Sequence, residues 1–561
     1  MDSEQKSAAL SKPCVLIIVV ASVERFVYKG VASNLVTYLT DVVKSSSAAK
    51  SVNTWNGVTS MLPLASAILA DSFWDRYSTI SLFYHNCFIG LAGLASWAML
   101  HSWLPRSLLF LPLYLISVGQ GGYDPSLQAF GADQLLIEDD KESLPAEQKN
   151  QVKGLFFQWW YFGICSGSLL GNSMSYIQDT FGWGLGFAIP CGVMILSVIA
   201  FCFGNALYTR KEQNTANKPS WSIFKVLKEA VTYIIYSKGP LEEKALKDEF
   251  TDPRETGNGH DATPNVTKTI LRLLPIWTTL LIFAVNFQQP MTFFTNHGML
   301  MNHKVGSTFV IPPATLQSST TMSVILLMPL YDKIFVPLMR LFTREEKGIT
   351  VLQRTGIGMV LSVVAMVVAA AVESKRLHLT SEGDATQLSI FWLLPQYILL
   401  GVADVFTVVG MQEFFYTQVP STWVGIHHLL VLIAIDEGVW IFLPINTNYG
   451  LLSSWKRYTT LLVLLVEKIH YKLLYGKIWE VRVWSIRVSV FGFGSFLGAF
   501  LISVLEMTTA MLGEGHGWFS DDPQQERLDK YYLFLALVST IGFVFFTYLC
   551  KYYNDPEAGG A

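Results

Sequence analysis

The chain has 561 residues, 51% of them hydrophobic, 13% aromatic and only 15% charged, where a soluble globular protein carries about 25% charged residues. That composition excludes a soluble protein and indicates a polytopic membrane protein partnered by the lipid bilayer. A net charge of −3 without a basic tail or patch gives nucleic acid no footing. The six cysteines lack paired or metal-ligand spacing and read as small core hydrophobes.

The N-terminus MDSEQKSAALSK is polar and carries no cleavable signal. The first apolar run starts near Pro13 and is long enough to cross a bilayer, for which about 20 residues suffice. It holds Glu24, Arg25 and Lys29 near its middle. A charge at that depth costs about 2.5–3.5 kcal/mol even on the gentlest insertion scale. These three should therefore face a protein-lined or water-filled interior, either as a functional site or as an ion pair that holds two helices together.

Further membrane helices are expected after this first one (13–41), over about 54–71, 78–101, 107–127, 154–176, 184–208, 268–294, 312–332, 350–373, 389–418, 484–506 and 530–553. The polar stretch 210–265 separates an N-terminal six-helix half, 1–209, from a C-terminal one, 266–561. Within that stretch Trp221 to Ile235 has helical periodicity and could lie on the membrane surface. Lysine and arginine concentrate in 210–265 and in the connections after the fourth and eighth helices (Lys141, Lys149, Lys153; Lys333, Arg340, Arg344, Lys347). The positive-inside bias then places both termini and the central loop in the cytosol. The Asn265-Val266-Thr267 glycosylation pattern falls on that cytosolic side and reads as a chance match.

Two six-helix halves joined by a cytosolic loop outline the major facilitator fold, whose substrate lies near the bilayer midplane between the halves. Between the second and third helices, Asp71 and Arg76 flank a tight turn, LADSFWDRY. It resembles the cytosolic gate motif of that superfamily, with Asp75 standing where the superfamily usually has glycine. A carboxylate there can cap a helix N-terminus and pair with the arginine. An ordinary charged loop is the plainer reading. Next come GQGGYDP with Asp124 and Pro125, FGADQ, FFQWWYFG at 156–163, FQQP with Phe287 and Gln289, and QEFFYTQVP with Glu413.

Together with ERFVYKG at 24–30, these segments resemble the proton-coupled oligopeptide transporter family, and most of all its plant nitrate/peptide branch. The resemblance covers about 420 residues before Pro420 and again from about Val488. It implies a secondary active transporter working by alternating access, with protons as coupling ion and a small anion, peptide or plant metabolite as substrate. It also implies substrate or coupling roles for Glu24, Arg25, Tyr28, Lys29, Asp124, Phe287, Gln289 and Glu413, and a cytosolic gate at Asp71 and Arg76. Four departures stand out. The first carboxylate of the helix-1 motif is Ala21, so a relay between paired carboxylates is missing there. Lys29 replaces the tyrosine usual in peptide-transporting members, and Asp124 replaces their lysine. Phe287 stands where the nitrate-transporting member has histidine. Lys29 is then either an anion-binding cation or a structural partner of Asp124.

From about 421 to 483 the chain departs from the family, with some 60 residues where members pass almost directly into the eleventh helix. A genuine insertion and a segment retained by mis-splicing are both open, the latter yielding a non-functional product. His427-His428 has no companion ligand at metal spacing, so neither metal nor cofactor is expected. Nor is an enzyme, since no nucleophile–base set or nucleotide loop is present. A transport-inactive receptor or regulator is the competing function. The plasma and the vacuolar membrane are both compatible with the sequence.

Overall fold

The computed structural model describes residues 10–45, 47–72, 76–134, 146–208, 262–306, 309–343, 349–381, 388–418, 479–512, 518–519 and 526–554. Two expected features lie outside these residues: the surface helix at Trp221–Ile235 and the atypical segment at 421–483, nearly all of it. Nearly everything described is helix. In chain order the helices are α1 (Lys12–Ala32), α2 (Leu35–Asp41), α3 (Ala48–Ser72), α4 (Arg76–Leu100), α5 (Phe110–Gln134), α6 (Ala146–Phe181) and α7 (Trp183–Phe203). After the central stretch come α8 (Ala262–Phe287), α9 (Phe293–Met299), α10 (Gln317–Leu330) and α11 (Val336–Thr343). The chain closes with α12 (Val351–Ser381), α13 (Leu394–Gln418), α14 (Trp479–Leu512) and α15 (Leu528–Asn554). A single π-turn at Tyr331–Phe335 joins α10 to α11, making one crossing of the two. With α2 and α9 too short to span, the described residues supply six crossings before the central stretch and six after it. A two-residue hairpin, β1 (Lys304–Val305) with β2 (Phe309–Val310), follows α9.

Helix order agrees with the hydropathy reading; several boundaries differ, three of them for visible local reasons. The first run is not one helix to residue 41, because it breaks at Ser33 and Asn34 before α2 begins. The break is held from α6, where Gln178 Nε2 donates to the Gly30 carbonyl at 2.7 Å and Asn34 Nδ2 donates to Gln178 and Asp179 at 3.1 Å each. The ninth crossing does not stop at residue 373, where hydropathy falls, but continues to Ser381. Its extra turns are held by an i,i+3 pair, Glu373 with Arg376. The seventh crossing ends at Phe287 rather than 294, and the chain turns through a 3₁₀ segment at Gln289–Met291 into α9.

Close helix approach follows from glycine placement. A Cβ on Gly119 of α5 would lie 2.6 Å from the Cys87 backbone nitrogen of α4, and one on Gly167 of α6 would run into the Ser22 carbonyl of α1. Only glycine lets these backbones meet, which is the packing rule of helices in lipid. Large exposed side chains such as Leu170, Leu196, Leu537 and Val544 belong on the lipid-facing side, where a hydrocarbon surface has no reason to be buried. The cysteines are all free thiols; Cys14, Cys87 and Cys165 are buried, but Cys202 is exposed on α7 rather than in the core.

Candidate polar site between the two halves

The two halves meet along α3 with α14 and along α6 with α10. Between them, the charged face of α1 turns inward. Glu24 is only 2% exposed. Its carboxylate is 3.9 Å from Arg25 Nε, and Tyr123 of α5 hydrogen-bonds it. Arg25 lies over the ring of Tyr28, 5.9 Å from its centroid, and that ring stacks on Trp55 of α3. Ala21, at the place of the family's first carboxylate, is buried in the apolar core of the first half.

From Tyr28 a polar ladder crosses to the other half. Tyr28 donates to Asn56 Oδ1 at 3.0 Å, and Asn56 Nδ2 donates to Gln288 Oε1 at 3.3 Å. Lys29 Nζ is 4.0 Å from Met291 Sδ, a sulfur contact far weaker than an ion pair. Its charge is felt by two partners, Arg25 on its own helix and Asp404 on α13 of the other half. Asp404 is thus the carboxylate of the described residues that faces Lys29 from across the interface. Further out, Gln317 Nε2 donates to the Ser33 carbonyl at 2.7 Å, an acceptor that the α1–α2 break sets free. Lys50 meets Glu506 at 3.8 Å, and Tyr176 stacks on Phe309. These contacts gather at the end of the bundle where α1 stops, and they close it.

The residues expected at the site do not all converge there. Tyr28 and Lys29 do, with Arg25 and Glu24 behind them. Gln289 does not: it is fully buried within the second half, donating to the Val285 carbonyl at 3.0 Å and to Tyr531 at 3.4 Å. Phe287 packs on Phe283 and against the edge of Phe491, an aromatic contact with α14. The side chains of Asp71, Asp124 and Glu413 lie outside the described residues, so the Lys29–Asp124 pairing lies outside them too. Arg76 is described, at the start of α4.

Three members of the site were missed in the sequence. Asn56 and Gln288 are neutral amides without a motif to mark them. Asp404 did carry a signal: a lone carboxylate in the apolar run LLGVADVFTVVG, which the expense of a mid-membrane charge should have flagged. Among the described residues no group of three or more His, Cys, Asp or Glu could hold a metal ion.

The profile of the POT family (PTR2) matches residues 77–441. The chain is 42% identical to Protein NRT1/ PTR FAMILY 5.9 of Arabidopsis thaliana, covering 100% of this chain and 99% of that protein. It is 36% identical to Protein NRT1/ PTR FAMILY 5.10 of the same plant, covering 96% and 92%. Among solved structures it is similar to an auto-inhibited POT family peptide transporter, with TM-score 0.66, 18% identity and coverage of 96% and 97%. It is also similar to a POT family transporter in complex with 5-aminolevulinic acid, with TM-score 0.61, 13% identity and coverage of 96% and 95%. At these identities the structures establish a common fold.

Proposed function

The chain belongs to the POT family of membrane transporters, and from that premise we propose that its central site takes an anionic or carboxylate-bearing solute on Lys29. It is a secondary active, proton-coupled transporter of the major facilitator fold, moving a small anion, peptide or plant metabolite by alternating access. It is not an enzyme. No finding favours the receptor or regulator reading, or a non-functional mis-spliced product.

The single observation that carries the substrate class is the position of Lys29. Its ammonium reaches the interface between the halves, where Met291 offers only a sulfur and Asp404 acts on it from the opposite half. A cation placed against a carboxylate across a moving interface can exchange that carboxylate for one on the substrate. When Asp404 takes a proton, its hold on Lys29 weakens and a solute carboxylate can replace it. Proton and anion are then coupled through one ammonium. This route needs no carboxylate at Ala21 and no histidine at Phe287.

Lys29 and Asp404 do the binding and exchange in this scheme; Arg25 and Glu24 set the local potential, and Tyr28 and Asn56 shape the wall. Glu413 is a second candidate for proton coupling. Asp71 and Arg76 are proposed to clasp the cytosolic end in the opposite state. With both termini and the central stretch in the cytosol, the end where the inter-half contacts gather is the external one. The protein is integral to the membrane, and a plasma or vacuolar location fits equally.

The test is uptake in proteoliposomes. Lys29→Gln should raise the apparent KM for an anionic substrate about tenfold or more, the loss expected for one charge-assisted hydrogen bond of about 1.5–3 kcal/mol. Unchanged KM values in that variant would remove Lys29 from the substrate site.

A further inference from the structure

The eighth crossing changes its packing partners partway along. Its first part, α10, lies against the first half. Gln317 at its start holds the Ser33 carbonyl, and Val324, Ile325 and Met328 pack with Tyr161 and Cys165 of α6 and with Val405 of α13. After Leu330 the described packing is with the second half alone, where Tyr331 and Phe335 gather with Ile349, Leu361, Val402 and Phe406. Leu327 belongs to both groups and marks the boundary.

The π-turn Tyr331–Phe335 lies at that boundary. Such a turn takes one extra residue into the helical ring, and it occurs mostly at functional sites. Pro329 before it and Pro337 after it have no N–H to donate. Each therefore leaves a carbonyl one turn back without its helical donor. The backbone ladder of this crossing is weakest between the two prolines, which is also where its packing changes hands.

The turn is held from two helices of its own half. Phe406 of α13 meets Tyr331 and Phe335 edge to face, with centroids 5.4 and 5.3 Å apart, and the two rings of the turn stack on each other at 5.3 Å. From α12, Arg354 Nε donates to the Tyr331 hydroxyl at 2.7 Å, and the guanidinium carbon lies 4.3 Å from the ring centroid. Arg354 stands on a fixed helix start. Thr350 and Gln353 make a capping box there, with Gln353 Oε1 accepting from the Thr350 N–H at 3.0 Å and Thr350 Oγ1 from the Gln353 N–H at 3.3 Å. A cation so near a helix N-terminus opposes the helix dipole. Its contacts with the buried Tyr331 offset that cost and give the arginine its task.

We infer that the π-turn is a hinge about which α11 swings relative to α10, and that Arg354 and Tyr331 form the latch that holds it in the conformation seen here. Alternating access asks the two ends of one crossing to do opposite things. While α10 stays against the first half at the end where α1 stops, the other end must be free to part from it. A straight, fully bonded helix transmits both movements together; a crossing with a broken ladder does not. The latch is made while the gate at the α1 end is shut, so it favours that state, and its loss should shift the protein towards opening there.

Two readouts on purified protein test this without substrate, in a background where Cys191, Cys202 and Cys550, the cysteines that are not buried, are replaced by serine. Ala49 on α3 packs among residues of the second half at the gate. An Ala49→Cys thiol should be shielded from maleimide when the gate is shut and reached when it opens, with the rate normalised to Ser102→Cys on the exposed connection between α4 and α5. Tyr331→Phe keeps the ring and removes only the hydroxyl. It should speed Ala49→Cys labelling about tenfold or more, the loss of one bond to a charged group. Arg354→Gln should do the same, and the double variant should go no further than either single one, because both break one contact. The second readout is the distance between spin labels at Met322→Cys on α10 and Leu341→Cys on α11, both exposed. Tyr331→Phe should add a second distance to the one that the latched protein shows. A latch with a purely structural role would lower stability and leave both readouts where they were. Labelling at the wild-type rate in Tyr331→Phe, or an unchanged distance distribution across the turn, would overturn the inference. Should Tyr331→Phe fail to fold, Arg354→Gln decides by the same two readouts. Because no solute is present, failure here is distinct from failure of the anion-binding role of Lys29.

Discussion

Among the described residues, two charged clusters inside this transporter are built on opposite plans. Glu373 and Arg376 sit within one half and grip each other through two bonds of 2.8 Å, with His297 close against them. Lys29 and Asp404 sit on opposite halves and act on each other at longer range, with Met291 the thioether beside the ammonium. The difference follows from where motion occurs. A pair within a rigid half is never asked to part, so bidentate geometry can offset the desolvation of both charges. A pair across the moving interface must open in every cycle, and a tight ion pair there would trap one state. Loose partners, amide ladders and a thioether are what such an interface can tolerate.

The comparison breaks most visibly at the tight cluster. Glu373→Gln would leave Arg376 buried with half its partners, a loss of about 3–5 kcal/mol. Little protein should reach the membrane, and what does should melt well below wild type in detergent. Wild-type expression and Tm in this variant would mean that the pair is not structural.

At the loose cluster the same kind of change should spare folding and strike transport. Asp404→Asn should be expressed normally, yet lose proton-driven accumulation about tenfold or more while exchange of substrate across the membrane persists. Accumulation intact in Asp404→Asn, and lost instead in Glu413→Gln, would move the coupling carboxylate to Glu413.

A smaller effect is expected from the neutral part of the gate. Gln317→Ala removes a bond to the Ser33 carbonyl worth about 1 kcal/mol. That shifts the closed–open balance about fivefold towards open, read as faster labelling of Ala49→Cys. The smallest effect belongs to Lys50→Ala. Its pair with Glu506 is solvent-exposed and contributes between about 0 and 1 kcal/mol, so uptake should stay close to wild type. A large loss there would mean that exposed pairs, too, govern the gate.

How much of this was legible in the sequence depends on the range of the physics. Helix number and order are local properties of hydropathy, so twelve crossings could be read from the chain. The inward turn of Glu24, Arg25 and Lys29 follows from the expense of charge in lipid. The α1–α2 break was not legible, because Gln178, some 145 positions away, holds it. Nor was the α9 cluster, since His297 and Glu373 share no motif and the hydropathy reading ends the ninth crossing at residue 373, before Arg376 could be seen as its partner. Gln289 lies away from the interface for a related reason: the helix ends at Phe287, and the turn that follows sends Gln289 into the second half while Gln288 and Met291 face the first. Asp404 was legible and overlooked.

The central claim is that an ammonium at position 29 selects the solute. The most direct measurement is proton-gradient-driven uptake of nitrate, a monocarboxylate and a neutral dipeptide into proteoliposomes, comparing wild type with Lys29→Gln. The account predicts that wild type accumulates one or both anions in preference to the dipeptide, and that Lys29→Gln raises the KM for the anion about tenfold or more while expression is unchanged. Preferred uptake of the neutral dipeptide, with the same KM in both proteins, would contradict it.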